Sequence, residues 1–130
     1  VDNGVYEEDF WAYDPDSDSW TGLRDIANTT DDDYDDDYLN ITRINTVGLA
    51  ANGKAWIMTG GQNTIGSTVW EYDPDTDLWE EKTGIEGSAR MDAVGFVLNE
   101  NCYVTTGRSS SYYFDDLWRF EPDEEYDEYD

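Results

Sequence analysis

The sequence contains no histidine, two lysines and one cysteine. Without imidazole, the chain cannot build a serine–histidine–aspartate triad or a histidine metal site, and we expect no enzymatic activity. One cysteine excludes a disulfide within the chain, and Cys102 lies in the apolar run Cys102-Tyr103-Val104, where a buried small side chain is expected. No apolar run approaches the ~18 residues that cross a bilayer, and no secretory signal opens the chain.

Acidic residues are present in large excess. The chain has 32 acidic and 7 basic residues, and its formal net charge is −25. This charge disfavours nucleic acid and anionic membranes as partners, and leaves cations, basic protein surfaces and neutral glycans. Salt would screen the repulsion, which suits an extracellular or cell-surface location. With 38% hydrophobic and 15% aromatic residues, the chain can still form a packed core.

Two segments of the sequence repeat at a constant spacing. Residues 89–96 match residues 42–49, which begin 47 positions earlier, and residues 102–107 match 55–60 in the same register. A second element, centred on a tryptophan and ending in Pro-Asp, occurs three times, around Trp11, Trp70 and Trp118. The first and second copies of this element are further apart than the second and third. The acidic stretch 31–37, taken as a loop insertion, accounts for the excess.

Each repeat predicts four short β-strands. In the best-defined copy, Asn52-Gly53 is a type I′ hairpin signal between two strands, and Trp70 and Tyr72 share one face of the third. Asp73-Pro74-Asp75 begins the next turn, because proline fixes φ and aspartate bonds the local backbone. We expect the first of these strands to end at residue 51, and the second, third and fourth to cover residues 54–59, 68–72 and 78–81.

These residues resemble the kelch repeat, in particular the kelch repeats of bacterial cell-surface proteins. The family motif places a double glycine after the second strand, then a tyrosine and a tryptophan separated by six residues. The third copy departs from this motif, with Gly107-Arg108 for the double glycine, Phe120 for tyrosine and Asp127 for tryptophan. The residues that match the repeat pattern are Trp11, Tyr13, Trp20, Gly60, Gly61, Trp70, Tyr72, Trp79, Gly107 and Trp118.

The resemblance implies an all-β fold made of four-stranded antiparallel blades, about two and a half blades of a β-propeller. The expected organisation is an incomplete blade at 1–24 with third and fourth strands, an acidic loop insertion at 25–41, a complete blade at 42–83, a second blade with a degenerate last strand at 84–123, and an acidic tail at 124–130. A propeller closes with typically about four to eight blades, so we expect further blades from the same or neighbouring chains.

Calcium is the one candidate ion, and no other cofactor is expected. The turns at 14–18 and 73–77 have alternating acids but lack the glycine and glutamate of an EF-hand loop. The better candidates are the carboxylates of the inserted loop, although solvated surface charge is the simpler interpretation; they are Asp31, Asp32, Asp33, Asp35, Asp36 and Asp37. Asn28 and Asn40 begin N-glycosylation sequons on either side of that loop.

Two functions remain open at this level. The first is non-catalytic recognition of a protein or glycan, or scaffolding, at a cell surface or in the extracellular space. The alternative is a structural subunit of an extracellular filament or ring assembled from incomplete blades. Loops decide what a propeller binds, so the fold alone leaves the ligand open.

Overall fold

The computed structural model describes residues 2–26 and 41–122, and these residues form nine β-strands. No helix among them is long and apolar enough to cross a membrane. The strands, numbered in chain order, are β1 (Trp11–Asp14), β2 (Ser19–Gly22), β3 (Val47–Ala51), β4 (Lys54–Met58), β5 (Val69–Asp73), β6 (Leu78–Lys82), β7 (Val94–Leu98), β8 (Asn101–Thr105) and β9 (Leu117–Phe120).

The strands form three antiparallel sheets in which sequence neighbours pair. The first sheet is β1-β2, the middle sheet is β3-β4-β5-β6, and the third sheet is β7-β8-β9. The expected all-β class is therefore confirmed, and the predicted strands of the middle sheet agree with the observed ones to within two residues. Asp127 and the acidic tail lie outside the described residues, as do the inserted loop 31–37 and both sequon asparagines, Asn28 and Asn40.

Strand pairing follows the 47-residue repeat. Trp56 pairs with Leu49 across β3 and β4, and Tyr103 pairs with Phe96 across β7 and β8. In the next strand pair of each sheet, Ile57 faces Trp70 and Val104 faces Trp118. Residues that correspond in the sequence thus occupy corresponding positions in the two sheets.

The hairpin between β3 and β4 has the predicted turn. Asn52 and Gly53 have φ values of 52° and 74°, as a type I′ turn requires. The equivalent hairpin of the third sheet makes the same turn without glycine, since Asn99 and Glu100 have φ values of 51° and 62°. The two hairpins also contact each other: the Asn52 amide donates to Oε2 of Glu100 at 2.7 Å, and Asn52 Nδ2 donates to the Glu100 carbonyl at 3.0 Å.

The middle sheet is packed on both faces. One hydrophobic cluster lies between the middle and third sheets and consists of Val47, Ala51, Trp56, Met58, Val69, Cys102 and Val104. A second cluster lies towards the first sheet and consists of Ile41, Trp70, Tyr72 and Trp79, with Phe10, Leu23 and Ile26 packed against it. Cys102 is buried, as its apolar neighbours predicted, and burial raises the pKa of its thiol.

The tryptophans of the first sheet are exposed. Trp11 and Trp20, which the repeat pattern assigns to packing against a neighbouring sheet, are 52% and 65% exposed. Their equivalents in the middle sheet, Trp70 and Trp79, are buried because Phe10, Leu23 and Ile26 cover them. No described residue covers the first sheet in the same way, which accounts for the difference in exposure.

Candidate functional site

A buried arginine organises the ends of the strands in the third sheet. The side chain of Arg90 is fully buried, and its Nε donates to the Ser88 carbonyl at 3.1 Å. Its Nη1 donates to the Thr106 carbonyl at 3.0 Å, and its two Nη atoms donate to both carboxylate oxygens of Asp116. These bonds hold the pKa of Asp116 well below its usual range. The arginine thereby joins the segment that enters the sheet, the end of β8 and the approach to β9.

Arg43 makes the same connection in the middle sheet. Its Nε donates to the Ile41 carbonyl at 3.1 Å, and its Nη1 donates to the carbonyls of Thr59 and Thr68 at 3.2 and 3.1 Å. The position of Asp116 is taken here by Thr68, whose hydroxyl accepts from Nη2 at 2.9 Å. Sequence reasoning placed both arginines in the repeat but gave them no role, because only the fold shows which carbonyls they meet.

The acidic turns after β1 and β5 use their carboxylates internally. Tyr72 donates its hydroxyl to Asp77 at 2.7 Å, and Tyr13 donates to Asp18 at 2.8 Å. Asp77 also accepts the backbone amide of Arg24 at 3.1 Å. These turns therefore serve the fold, and within the described ranges no three metal-binding side chains are grouped.

The tyrosine–aspartate bond predicts a pH dependence of stability. Burial and the bond to Asp77 raise the pKa of Tyr72 to about 12, above the ordinary value of 10.0. The folded state therefore holds this proton more tightly, and the resulting stability is present below pH ~10 and is lost as the pH rises towards 12. The free energy of unfolding, measured with urea between pH 9 and 12, should fall as the pH rises, and Tyr72→Phe should reduce this fall. Tyr13→Phe, the change at the exposed equivalent position, should reduce it less. If the free energy of unfolding of Tyr72→Phe falls with pH as steeply as that of the parent chain, the assignment is contradicted.

The double glycine closes the loop that follows the second strand of the middle sheet. Gly60 has a φ of 69°, and a β-carbon there would overlap the Ile44 carbonyl. The Gly60 amide donates to the Arg90 carbonyl at 2.7 Å, which ties this loop to the next repeat. Gly107 is the equivalent in the third sheet and has a φ of 88°.

The loop from Gly107 to Phe114, called here the tyrosine loop, is held by its own backbone. The Phe114 amide donates to the Gly107 carbonyl at 2.9 Å, and the Ser109 amide donates to the Tyr112 carbonyl at 2.8 Å. The Ser109 hydroxyl oxygen accepts the amide of Tyr112 at 3.1 Å. At the tip, Tyr112 and Tyr113 are 71% and 88% exposed.

Side chains beneath the tyrosine loop fix its base. The Arg90 guanidinium lies 4.4 Å from the centre of the Phe114 ring, which is a cation–π contact. Arg108 Nε donates to the Asp92 carboxylate at 2.8 Å. The two exposed tyrosines therefore project from a backbone that is held on both sides.

The equivalent loop of the middle sheet, residues 60–66, has the same frame and a different tip. The Gly66 amide donates to the Gly60 carbonyl at 3.0 Å, just as Phe114 bonds to Gly107. At the positions of Tyr112 and Tyr113 this loop carries Thr64 and Ile65, which are not aromatic. A hollow of about 500 Å³ separates the two loops; it is lined by Ile44, Asn45, Gly61, Gln62, Asn63, Thr64, Ile65, Met91 and Ser110.

The tyrosine loop and this hollow offer rings, hydroxyls and amides to a ligand. Sequence reasoning did not single out Tyr112 or Tyr113. The available signal was their place just after Gly107, in the loop position that the repeat defines. The predicted metal ligands Asp31, Asp32, Asp33, Asp35, Asp36 and Asp37 lie outside the described residues, so the structure does not relate them to this surface.

The described residues thus form an all-β protein in which repeated antiparallel sheets pack face to face. No family model matches the chain, and no curated protein matches it. Solved structures do match, among them that of the protein YjhT, with 20% identity and a TM-score of 0.51 over 78% of this chain. The match covers 34% of YjhT, so this chain corresponds to about a third of that protein's length. A likeness at this identity concerns the fold.

Proposed function

We propose that this chain is part of an extracellular, non-catalytic kelch β-propeller that binds a protein or a glycan through the loops after its second strands. The propeller is supported by the 47-residue repeat, which has one register in sequence and strand pairing. It is also supported by the face-to-face packing of the middle and third sheets. A non-catalytic role agrees with the lack of histidine, and the acidic composition suits an extracellular setting.

The observation that carries the binding role is the contrast between two equivalent loops. Both loops are closed by the same backbone bond after a left-handed glycine, but only the third-sheet loop carries two exposed tyrosines. Tyrosine side chains present a large apolar ring with a polar tip, and rigid tyrosines are favoured in binding surfaces because little entropy is lost on contact. Tyr112 and Tyr113 fit this description.

The charge of the chain limits the classes of ligand that it can bind. A net charge of −25 disfavours acidic ligands, whereas the ring faces of Tyr112 and Tyr113 and the polar groups of the hollow suit an uncharged ligand with many hydroxyls. A neutral glycan is therefore the preferred ligand, and a basic protein surface is the other candidate.

Binding to an array of neutral and acidic oligosaccharides tests the proposal. The chain should retain neutral oligosaccharides in preference to acidic ones, and Tyr112→Ser with Tyr113→Ser should weaken binding about tenfold, which corresponds to about 1.4 kcal/mol. The control changes an exposed tyrosine of the first sheet, Tyr13→Ser, which lies away from this surface and should retain binding. A preference for acidic oligosaccharides, or an equal loss of binding in the control, would argue against the tyrosine loop as the site.

A structural role in a filament or ring is the second candidate function. It is favoured by apolar side chains at both ends of the stack, including Trp20 on the first sheet and Leu117 on the third, which are 65% and 60% exposed. Exposed faces of this kind promote association between chains. Sedimentation velocity distinguishes the candidates, because only the structural role requires assembly that grows with protein concentration.

A further inference from the structure

Arg108 stands where the repeat has its second glycine. In the middle sheet this position is Gly61, and a β-carbon there would overlap the carbonyl oxygen of Thr64. Between the two residues of its closing backbone bond, the tyrosine loop is one residue longer than the equivalent loop 60–66. The longer loop accommodates a side chain, so the third sheet carries a charged residue where the middle sheet requires glycine.

Arg108 lies in a row of three paired residues at the base of the tyrosine loop. It forms isolated β-bridges with Met91 on one side and with Tyr113 on the other. The Arg108 amide donates to the Met91 carbonyl at 2.9 Å, and the Met91 amide donates to the Arg108 carbonyl at 2.9 Å. Residues paired directly across antiparallel segments carry their side chains on the same side. Arg108 is therefore the neighbour of exposed Tyr113, and Met91, at the other end of the row, lines the hollow.

The corresponding row of the middle sheet has no polar side chain. Its members, paired in the same order, are Ile44, Gly61 and Ile65. All three line the same hollow, opposite Met91. The loop of the middle sheet thus closes without an arginine, and only the third sheet presents a charged group beside a tyrosine at this position.

Asp92 engages one part of the Arg108 guanidinium and leaves the rest available. Arg108 Nε donates to Asp92 Oδ2 at 2.8 Å, and the two side chains are 42% and 43% exposed. Within residues 2–26 and 41–122, the Nη atoms of Arg108 and Oδ1 of Asp92 make no further hydrogen bond. An ion pair as exposed as this one contributes little to stability, so folding alone does not account for it.

The backbone fixes Asp92 at the edge of the hollow. Asp92 has a φ of 56°, and its amide donates to the carbonyl of Asn45 at 3.3 Å. Asn45 lines the hollow and is the equivalent residue of the middle sheet, with a φ of 57°. Asparagine and aspartate adopt this left-handed conformation more readily than most residues. The third sheet therefore presents a carboxylate at the position where the middle sheet presents an amide.

We infer that Arg108 and Asp92 bind two neighbouring ring hydroxyls of a neutral hexose whose ring lies on Tyr113. A hydroxyl group can donate and accept a hydrogen bond at once. The planar guanidinium offers donors in fixed directions, and the free carboxylate oxygen offers an acceptor. The charges of the pair cancel, which suits an uncharged sugar better than a sugar acid. The inference rests on the proposed function and adds the chemical group that is recognised, a vicinal diol.

Methyl glycosides of glucose, mannose and galactose, with their deoxy derivatives, test the inference. The 3-hydroxyl belongs to both vicinal diols of the pyranose ring, so a 3-deoxy glycoside has neither diol, whereas a 6-deoxy glycoside keeps both. In NMR titrations of the full chain, at least one unmodified glycoside should bind. Its 3-deoxy derivative should bind about tenfold more weakly, because hydrogen bonds to charged groups are lost, and its 6-deoxy derivative should bind within about twofold of it.

Substitutions of Arg108 assign this discrimination to the pair. Arg108→Ala should weaken binding of the unmodified glycoside about tenfold and should abolish its advantage over the 3-deoxy derivative, since the two changes remove one interaction. Arg119→Ala is the matched control, because Arg119 is an exposed arginine of β9 that pairs with Glu121, and it should leave binding unchanged. Arg108→Lys keeps the charge beside Asp92 without the planar donors and should also lose the discrimination, which provides a test if Arg108→Ala does not fold.

Several results would overturn the inference and leave the proposed function standing. They are equal weakening by the 3-deoxy and 6-deoxy changes, full discrimination in both Arg108 variants, or retention of neutral oligosaccharides by a chain that binds none of the methyl glycosides. In these cases the loss of oligosaccharide binding with Tyr112→Ser and Tyr113→Ser still decides on the proposed function. If neither oligosaccharides nor glycosides bind, glycan recognition itself is wrong and the inference fails with it.

Discussion

Gly95→Ala should lower the free energy of unfolding by about 2 kcal/mol, because a β-carbon at this position overlaps Val47 in a packed interface. The cost is large for one methyl group since the β-carbon position is fixed by the backbone, so relief requires the two sheets to separate. Gly48→Ala is the matched change at the equivalent strand position, where the β-carbon enters open space. It should be neutral or should stabilise the chain by up to about 1 kcal/mol, because alanine restricts the unfolded state.

Urea unfolding followed by tryptophan fluorescence measures both variants. The slope of the free energy against urea should stay the same, so that a shift of the midpoint reports stability. Equal effects of the two substitutions would show that Gly95 and Gly48 have the same surroundings, against the structure.

Asp116→Ala should lower the free energy of unfolding by about 3 kcal/mol, which is the second large effect that we expect. Arg90 is fully buried, and removal of the carboxylate leaves its charge with only the Ser88 and Thr106 carbonyls as acceptors. The Asp116 side chain is itself 36% exposed, so water can partly replace it and the cost should lie at the lower end of the range for buried pairs. Asp116→Thr copies Thr68, the partner of Arg43, and should recover part of the loss.

The Arg90–Asp116 pair also predicts that the protein loses stability at low pH. The pKa of Asp116 is lowered in the folded state, so the stability from the pair is present above the unfolded pKa of ~3.9 and is lost as the pH falls below it. Chemical unfolding between pH 2 and 7 should therefore show a smaller difference between Asp116→Ala and the parent at low pH. A difference that stays constant across this range would contradict the role given to the carboxylate.

The strands could be predicted from the sequence because the repeat and the local turn signals agree. Asn52-Gly53 predicted one hairpin, and the structure has the equivalent turn 47 residues later, at Asn99-Glu100, although that pair lacks the usual glycine. The face shared by Trp70 and Tyr72 followed from strand alternation, and both are buried together. Periodicity and turn chemistry are local properties, which is why they transfer from sequence to structure.

Contacts between distant segments could not be predicted in this way. Arg90 is bonded to Thr106 and Asp116, which are distant in the sequence, and nothing local to Arg90 indicates these partners. The exposure of Tyr112 and Tyr113 likewise depends on the closure of a loop by Gly107 and Ser109. Aromatic residues beside a strand suggest a core, and only the backbone path shows that these two point outwards.

The account depends most on the packing of the third sheet on the middle sheet in the register of the repeat. A double-mutant cycle between Gly95→Ala and Val47→Ala tests this contact, because Val47→Ala removes the methyl group that the new β-carbon would overlap. We expect the cost of Gly95→Ala to fall by about 1–2 kcal/mol in the Val47→Ala background, measured by urea unfolding. Additive effects of the two substitutions, within about 0.5 kcal/mol, would contradict this packing.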